Sequence, residues 1–473
     1  MKVLYVSSEA VPFAASGGLG DVAGSLCRAL RNKRVAARVV LPLYSDIPQE
    51  YRMKMKYLCN FNVSLSWRNQ YCGVFELNHN GVIYYFLDNE YYFKRSGLYG
   101  YYDDAERFAF FSKAVLEMLL HIDFDPDIIH CNDWQSALTT VYINAYYRHI
   151  PKFYNIKTAI TIHNIQYQGK YGLDLVEDVL GLPEQYTSVL EYQGCANFMK
   201  GAIVSADKVT TVSPTYAQEI MDPWFSYSLD PILKDNQYKL CGILNGLDVD
   251  LYNAATDVNI AKTLSVKDLS GKEDCKREVR EIFGLQDDGS PVISLITRLV
   301  AQKGLDLVKY VLEYMLNSGL HVVLLGSGDY AYESCFQDFA NRYPGRFGLR
   351  LGFDPILAKK IYAGSDMFLM PSKFEPCGLS QLIAMRYATV PIVRETGGLK
   401  DTITDSGDGE GNGFTFKSYN AHDMLDACLR AKAAFENKEY WEVLMKRCLQ
   451  YDSSWKRAAD SYIGLYKEML TLW

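Results

Sequence analysis

Two series of short, continuous apolar runs, each stopped by glycine or polar residues, constrain this chain more than any other feature. In the first half the runs are Val3-Leu4-Tyr5-Val6, Ala37-Arg38-Val39-Val40-Leu41-Pro42, Ile128-Ile129-His130, Thr158-Ala159-Ile160-Thr161-Ile162-His163 and Lys208-Val209-Thr210-Thr211-Val212-Ser213. In the second they are Pro291-Val292-Ile293-Ser294-Leu295-Ile296, Val322-Val323-Leu324-Leu325-Gly326, Met367-Phe368-Leu369-Met370-Pro371 and Pro391-Ile392-Val393. A strand apolar on both faces must be covered on both faces, which is the condition inside a parallel sheet. Helical spacing recurs between the runs, over residues 22–30, 105–120 and 305–316. In the second of these Phe108, Phe111, Val115 and Leu119 fall on one stripe. A stretch with hairpin character lies around residues 62–86. Strand–helix alternation in both halves predicts an α/β chain of two doubly wound parallel-sheet domains, and 473 residues exceed what one ordinary core accommodates.

The boundary is expected near residues 242–250, where Ile243-Leu244-Asn245-Gly246-Leu247-Asp248 reads as a strand and a turn. This gives a first domain at 1–242, a second at 243–453 and a terminal segment at 454–473, helical to about Leu472. A formal net charge of −7 argues against non-specific binding to nucleic acid or an anionic membrane. The 11 cysteines are scattered with no Cys-x-x-Cys pair, so reduced thiols are expected, with neither a disulfide framework nor a zinc site. Met1 leads straight into a strand-like run with no signal peptide, and no apolar run reaches the ~18 residues of a membrane span. A cytoplasmic protein is the expectation. The 36 tyrosines suit a protein that handles carbohydrate, because aromatic faces pack on sugar rings. Most of them are equally explained as core edges.

Ligands of open α/β sheets bind beyond the carboxyl ends of the strands. The residues there are Ser16-Gly17-Gly18-Leu19-Gly20-Asp21, Asp133-Trp134, His163-Asn164, Arg298 with Lys303, and Glu375. The glycine loop can bring backbone N–H groups to an anion at a helix N-terminus, or can be no more than a tight turn. Arg298 and Lys303 flank a short turn and could neutralise a diphosphate leaving group. Glu375 precedes a helix start at which the N–H groups of Gly378, Leu379 and Ser380 would be free for a phosphate, or Glu375 could cap that helix itself. Cys377 lacks the surroundings of a thiol nucleophile. His130 and His163 lack metal-ligand spacing. Gly397-Gly398-Leu399-Lys400-Asp401 echoes Gly17-Gly18-Leu19-Gly20-Asp21.

An ordered set of motifs runs from near residue 1 to about 400: Ser7-Ser8-Glu9-Ala10-Val11-Pro12, Gly17-Gly18-Leu19-Gly20-Asp21-Val22, His163-Asn164-Ile165-Gln166-Tyr167-Gln168-Gly169, Thr211-Val212-Ser213-Pro214-Thr215-Tyr216-Ala217, Leu244-Asn245-Gly246-Leu247-Asp248, Arg298-Leu299-Val300-Ala301-Gln302-Lys303-Gly304 and Phe374-Glu375-Pro376-Cys377-Gly378-Leu379. Together they resemble bacterial glycogen synthases and plant starch synthases. The resemblance implies a GT-B fold: two Rossmann-like domains facing a deep cleft, with the final helix crossing back to the first. It implies metal- and cofactor-independent, retaining transfer of glucose from ADP-glucose to the non-reducing end of an α-1,4-glucan. By matching position, His163, Arg298, Lys303 and Glu375 would be catalytic. Gly18, Asp21, Asn245, Phe353, Cys377, Gly378, Leu379 and Ser380 would bind the donor, on the side of the second domain's nucleotide site. Glu9, Asp133, Trp134 and Asn164 would face the acceptor. The expected partners are a nucleotide sugar and a glycogen- or starch-like glucan.

The chain departs from the family at two places: Ala15 stands where the family usually carries Lys, and Tyr252-Asn253-Ala254 replaces Trp-Asn-Pro. Ile383, eight residues after Glu375, stands where many related transferases carry a second Glu that synthases of this type also commonly lack, so it argues only against the broader relatives. Ala15 keeps UDP-glucose, or another acceptor, as an alternative. A non-catalytic glucan-binding relative is a further one, and retention of all four catalytic candidates speaks against it.

Overall fold

A computed structural model describes residues 1–407 and 409–471. The chain forms two compact units: Met1–Gly246 joined by the segment from Trp455 onward, and Leu247–Ser454. The division falls at Gly246/Leu247 and Ser454/Trp455, against the 242/243 and 453/454 expected.

The first unit is built on nine strands: β1 (Lys2–Val6), β2 (Ala36–Pro42), β3 (Lys56–Leu65), β4 (Arg68–His79), β5 (Val82–Asp88), β6 (Ile128–Asn132), β7 (Lys157–Ile162) and, after a small antiparallel sheet of β8 (Lys170–Tyr171), β9 (Glu191–Tyr192) and β10 (Cys195–Asn197), β11 (Lys208–Thr211) and β12 (Leu240–Gly242). The large sheet runs β12-β11-β7-β6-β1-β2-β5-β4-β3. It is parallel except for β4, which is antiparallel to both neighbours and makes the expected hairpin stretch. Order reverses at β1, which pairs with β2 on one side and β6 on the other.

The C-terminal helix Trp455–Thr471 belongs to this unit. Its buried residues Trp455, Ala458, Ala459, Tyr462, Leu465, Tyr466 and Met469 recur every three or four positions. That stripe packs on the helix Gly18–Asn32. Tyr466 ends in a hydrogen bond between its hydroxyl and His130 Nδ1 at 2.6 Å. Leu472 and Trp473, the end of the expected terminal segment, lie outside the described residues.

The second unit carries β13 (Val292–Ile296), β14 (His321–Gly326), β15 (Phe347–Leu351), β16 (Met367–Met370), β17 (Val390–Arg394) and β18 (Phe414–Phe416). The order is β15-β14-β13-β16-β17-β18, all parallel, and it reverses at β13. Counted from the reversal outward, this is the order of β5-β2-β1-β6-β7-β11 in the first unit, so both halves are Rossmann-like doubly wound sheets.

One expectation is corrected. Residues 243–248 do not form a strand; the strand is β12, ending at Gly242. Leu247 only bridges to Ser454, its N–H donating to Ser453 O at 2.7 Å. Gly246 lies against Trp455, where a Cβ would come within 2.5 Å of its Cα. Among the described residues no helix is long and apolar enough to cross a membrane.

Candidate active site

In the first unit the polar residues gather beyond β1, β6 and β7, at the reversal of strand order. The glycine loop opens the helix Gly18–Asn32 with Gly17 as its cap. The loop is held by Glu9, which is buried. Its carboxylate accepts from Ser16 N–H (2.6 Å), Ser16 Oγ (2.7 Å), Gly17 N–H (3.3 Å) and Tyr99 Oη (2.6 Å). Gly20 and Gly24, one helical turn apart, let the helix lie flush on that loop. A Cβ on Gly20 would meet Ala15 Cβ at 2.6 Å, and one on Gly24 would meet Val11 O at 2.6 Å. Glu9 thus occupies the first two loop amides and complements the positive helix end. The amides of Gly18 and Leu19 have no acceptor among the described residues. Asp21 lies exposed on the first turn.

His163 follows β7 directly. Its N–H donates to Asp133 Oδ1 at 2.7 Å, and Asp133 stands at φ +53°, a left-handed conformation unusual for a residue with a side chain. The ring is fixed by Asn132, whose Nδ2 donates to Val6 O at 3.0 Å, so that Oδ1 must be the acceptor toward Tyr5 Oη (2.7 Å) and His163 Nε2 (2.9 Å). Nε2 therefore carries the proton and Nδ1 a lone pair. Burial pushes the His163 imidazole down to about 3, so the ring is neutral near pH 7. Burial pushes the Asp133 carboxyl up to about 7, against the backbone N–H bonds of His163 and Asn164 that favour its charge.

The other candidates of this unit divide. Trp134 is only 9% exposed. It packs edge-on to Phe108 at 5.2 Å and lies under Gly169, where a Cβ would meet the indole at 2.7 Å. Asn164 Oδ1 accepts from Gln166 N–H at 3.0 Å within its own turn. Asn245 Oδ1 is buried with no hydrogen-bond partner among the described residues, an unsatisfied acceptor of the kind native structures seldom leave.

In the second unit two loops meet where strand order reverses, one after β13 and one after β16. The short 3-10 turn Ala301–Lys303 ends at Gly304, which has φ +72° and lies so close to Pro371 that a Cβ would fall 2.0 Å from its carbonyl oxygen. Lys373 N–H donates to Gln302 O at 2.8 Å, and Gln302 Nε2 to Phe374 O at 3.3 Å. Across this junction Lys303 Nζ donates to Glu375 Oε2 at 2.7 Å, and Ser372 Oγ donates to the same oxygen at 3.0 Å. Glu375 therefore does not cap the following helix. Arg298 is exposed, and its guanidinium makes no ion pair among the described residues.

Beyond Glu375, Gly378 takes φ +72° and the helix Ser380–Arg386 begins. The N–H groups of Gly378, Leu379 and Ser380 have no acceptor among the described residues. Gln381 turns back to donate to Gly378 O (2.9 Å) and Cys377 O (3.1 Å), stiffening the turn. The second glycine pair serves this loop: Gly398 N–H donates to Pro376 O at 3.1 Å, and a Cβ there would meet Cys377 O at 2.1 Å. Cys377 is buried. Phe353 stands apart beyond β15, 89% exposed, at a pocket of ≈ 440 Å³ shared with Arg350, Ile356 and Lys360.

Four positioning residues escaped the sequence reading: Tyr99, Asn132, Ser372, and Arg394, whose Nη1 donates to Lys373 O at 2.7 Å. Only Asn132 had a local signal, as the residue that ends β6 and precedes Asp133. Among the described residues no group of three or more His, Cys, Asp or Glu is placed to hold a metal ion.

Residues 2–235 match the family model for the starch synthase catalytic domain, and residues 277–441 match that for glycosyl transferases group 1. The chain is 48% identical to a glycogen synthase of Geobacillus thermodenitrificans over 99% of its own length and 98% of the relative's. It is 47% identical to one from Clostridium novyi, over all of both chains. Among solved structures it is similar to the catalytic domain of starch synthase IV from Arabidopsis thaliana bound to ADP and acarbose: TM-score 0.90, 33% identity, 99% of each chain. A sucrose-phosphate synthase from Thermosynechococcus elongatus (TM-score 0.63, 15% identity, 99% and 98% of the two chains) shares the fold.

Proposed function

Because the chain belongs to the glycogen synthase and starch synthase family of glycosyltransferases, we propose that it transfers glucose from ADP-glucose to the non-reducing end of an α-1,4-glucan, with retention and without a metal. The observation that carries this reading is the Lys303–Glu375 ion pair at the reversal of the second sheet, beside exposed Arg298 and three unused amides. Two cations and a set of N–H donors are what a departing nucleoside diphosphate needs in place of a metal. The adenine donor is favoured because the similar plant starch synthase was bound to ADP.

In this reading Arg298, Lys303 and the amides of Gly378, Leu379 and Ser380 hold the diphosphate. The Gly18 amide, Asp21, Asn245 and Cys377 belong to the donor side, and Phe353 lies near the adenine. Glu375 and His163 hold the transferred glucose. His163 acts as a neutral hydrogen-bonding group, because a ring with so low a pKa cannot serve as a general acid near pH 7. Asp133, Asn164, Trp134 and Glu9 serve the acceptor side, with Glu9 and Trp134 acting through the loops they brace. The bond from the anomeric carbon to the diphosphate oxygen breaks. The bond to the acceptor 4-oxygen forms on the same face, and the acceptor's hydroxyl proton passes to the departing diphosphate.

Initial rates with ADP-glucose and UDP-glucose on glycogen, each with and without EDTA, test this. Preference for ADP-glucose that survives EDTA is the expected result. Preference for UDP-glucose would favour the second reading, which rests on Ala15 leaving the glycine loop without the family's cation. No turnover with either donor would leave a glucan-binding protein. Lys303→Ala is expected to lower kcat by about 100-fold or more with little change in glycogen affinity. Wild-type turnover in that variant would overturn the diphosphate assignment.

A further inference from the structure

The hairpin β3–β4 closes the far side of the first sheet, and among the described residues β3 is its unpaired edge. Long edge strands are normally guarded by charge, and 22% of this chain is charged. Yet the exposed side chains over the tip half of the hairpin are Asn62, Ser64, Asn69 and Tyr71, with Ser66 and Trp67 at the turn, and all are uncharged. Asn62 lies opposite Tyr71 and Ser64 opposite Asn69, so these four share one face. Tyr71 lies down along that face because residue 73 is glycine: a Cβ there would come 2.7 Å from its hydroxyl and 3.4 Å from Cζ.

Trp67 is 75% exposed and nevertheless fixed. Its Nε1–H donates to Asp178 Oδ1 at 3.1 Å, and the Arg68 guanidinium lies 4.3 Å from the ring centroid. Arg68 is itself tied to Glu106 at 3.1 Å and Asp178 at 3.2 Å. Holding a solvent-facing indole in one place costs entropy and returns no burial. Exposed aromatic planes, one held at the tip against Arg68 and Asp178 and one lying among the neutral amides and hydroxyls of the face, match one ligand chemistry, an uncharged, hydroxyl-rich chain whose rings offer C–H faces to the aromatics.

We infer that the face and tip of this hairpin are a second binding surface for the glucan, apart from the site of transfer. This rests on the reading that the acceptor is a polymeric glucan. β3 stands four strands from β1, ~19 Å across the sheet. Because β3 runs parallel to β1, its tip lies on the same sheet edge as Glu9, Asp133 and His163. A long chain can occupy both places and a trisaccharide cannot.

The test uses the full-length chain, native electrophoresis through gels containing glycogen, and initial rates with glycogen and with maltotriose. W67A/Y71A is expected to weaken glycogen retention and raise the KM for glycogen by about tenfold, with maltotriose kinetics changed less than about twofold. W67F/Y71F keeps the aromatic planes and is expected to stay close to wild type, which separates stacking from a folding defect. Wild-type retention by the alanine pair, equal loss with maltotriose, or loss in the phenylalanine pair as large as in the alanine pair would each overturn the assignment. So would a wild-type dimer that the alanine pair dissociates with retention intact, which would give the face to a second copy. Retention is read without turnover, so failure of the transferase reading would appear separately, as absent transfer by the wild type.

Discussion

Asn132 decides what His163 can do. By accepting from both Tyr5 and Nε2–H it leaves Nδ1 as a lone pair and fixes the plane of the ring. Asn132→Ala removes that constraint without touching Lys303, Glu375 or the diphosphate amides. Turnover is expected to fall ~10–100-fold, the usual cost of misplacing a reacting group by an ångström, while thermal unfolding still shows one folded protein. Steady-state rates beside a melting curve check it. His130, one strand position before Cys131, is buried between Tyr466 and Thr161 and pushed down to about 3, chiefly by burial. Its folded pKa lies below the unfolded value near 6.5, so the unfolded chain binds the extra proton between these limits. Stability is therefore full above about pH 6.5 and is lost as the pH falls toward 3. His163 adds to the loss with the same sign. Chemical denaturation across that window should show a shallower decline for His130→Gln than for wild type. A parallel decline in the two proteins would mean that His130 is not the group being protonated.

At the scale of elements, the junction of the turn Ala301–Lys303 with the loop after β16 depends on contact that only glycine permits. Gly304→Ala would place a methyl 2.0 Å from Pro371 O at a left-handed φ. A loss of ~2–4 kcal/mol is expected, read as a lower denaturant midpoint, together with weakened activity as Lys303 shifts from Glu375. The sequence made much of this level legible. Runs such as Val322–Leu325 and Met367–Met370 are apolar on both faces, and nothing but a buried parallel strand satisfies them. The polar residues beyond each run were legible for the same reason, because loops at strand ends must be wet. Partners were not legible. Resemblance sets Glu9 toward the acceptor, and its carboxylate in fact accepts four hydrogen bonds from Ser16, Gly17 and Tyr99. Resemblance sets Trp134 toward the acceptor too, and it lies beneath Gly169. Each outcome depends on residues 7 to 90 positions away, which no local pattern encodes. The small sheet β8–β10 went unseen because strands of two or three residues show no period. Residues 243–248 looked like a strand because Ile243, Leu244 and Leu247 are apolar, but only Leu247 finds a bridge.

At the scale of the whole molecule, the segment from Trp455 onward supplies part of the first unit's core. Tyr462, Tyr466 and Met469 are fully buried, and Trp455 and Leu465 nearly so. At ~1.5–3 kcal/mol for each large side chain, their loss exceeds the ~5–15 kcal/mol margin of a typical domain or consumes most of it. A chain ending at Ser454 should therefore keep a protected second unit and lose protection in the first. Hydrogen exchange resolved by peptide would show this, and uniform protection of β1, β6 and β7 in the shortened chain would refute it. The same arrangement sets an order on synthesis. The unit encoded first is completed last, since its closing helix leaves the ribosome only after all of β13 to β18. A nascent chain must therefore hold a half-finished sheet, with the apolar face of Gly18–Asn32 uncovered, while some two hundred residues of the other unit emerge and fold. Slow or stalled translation between Leu247 and Ser454 would lengthen that exposure, so chaperone demand should track the elongation rate of the second unit rather than the stability of the first.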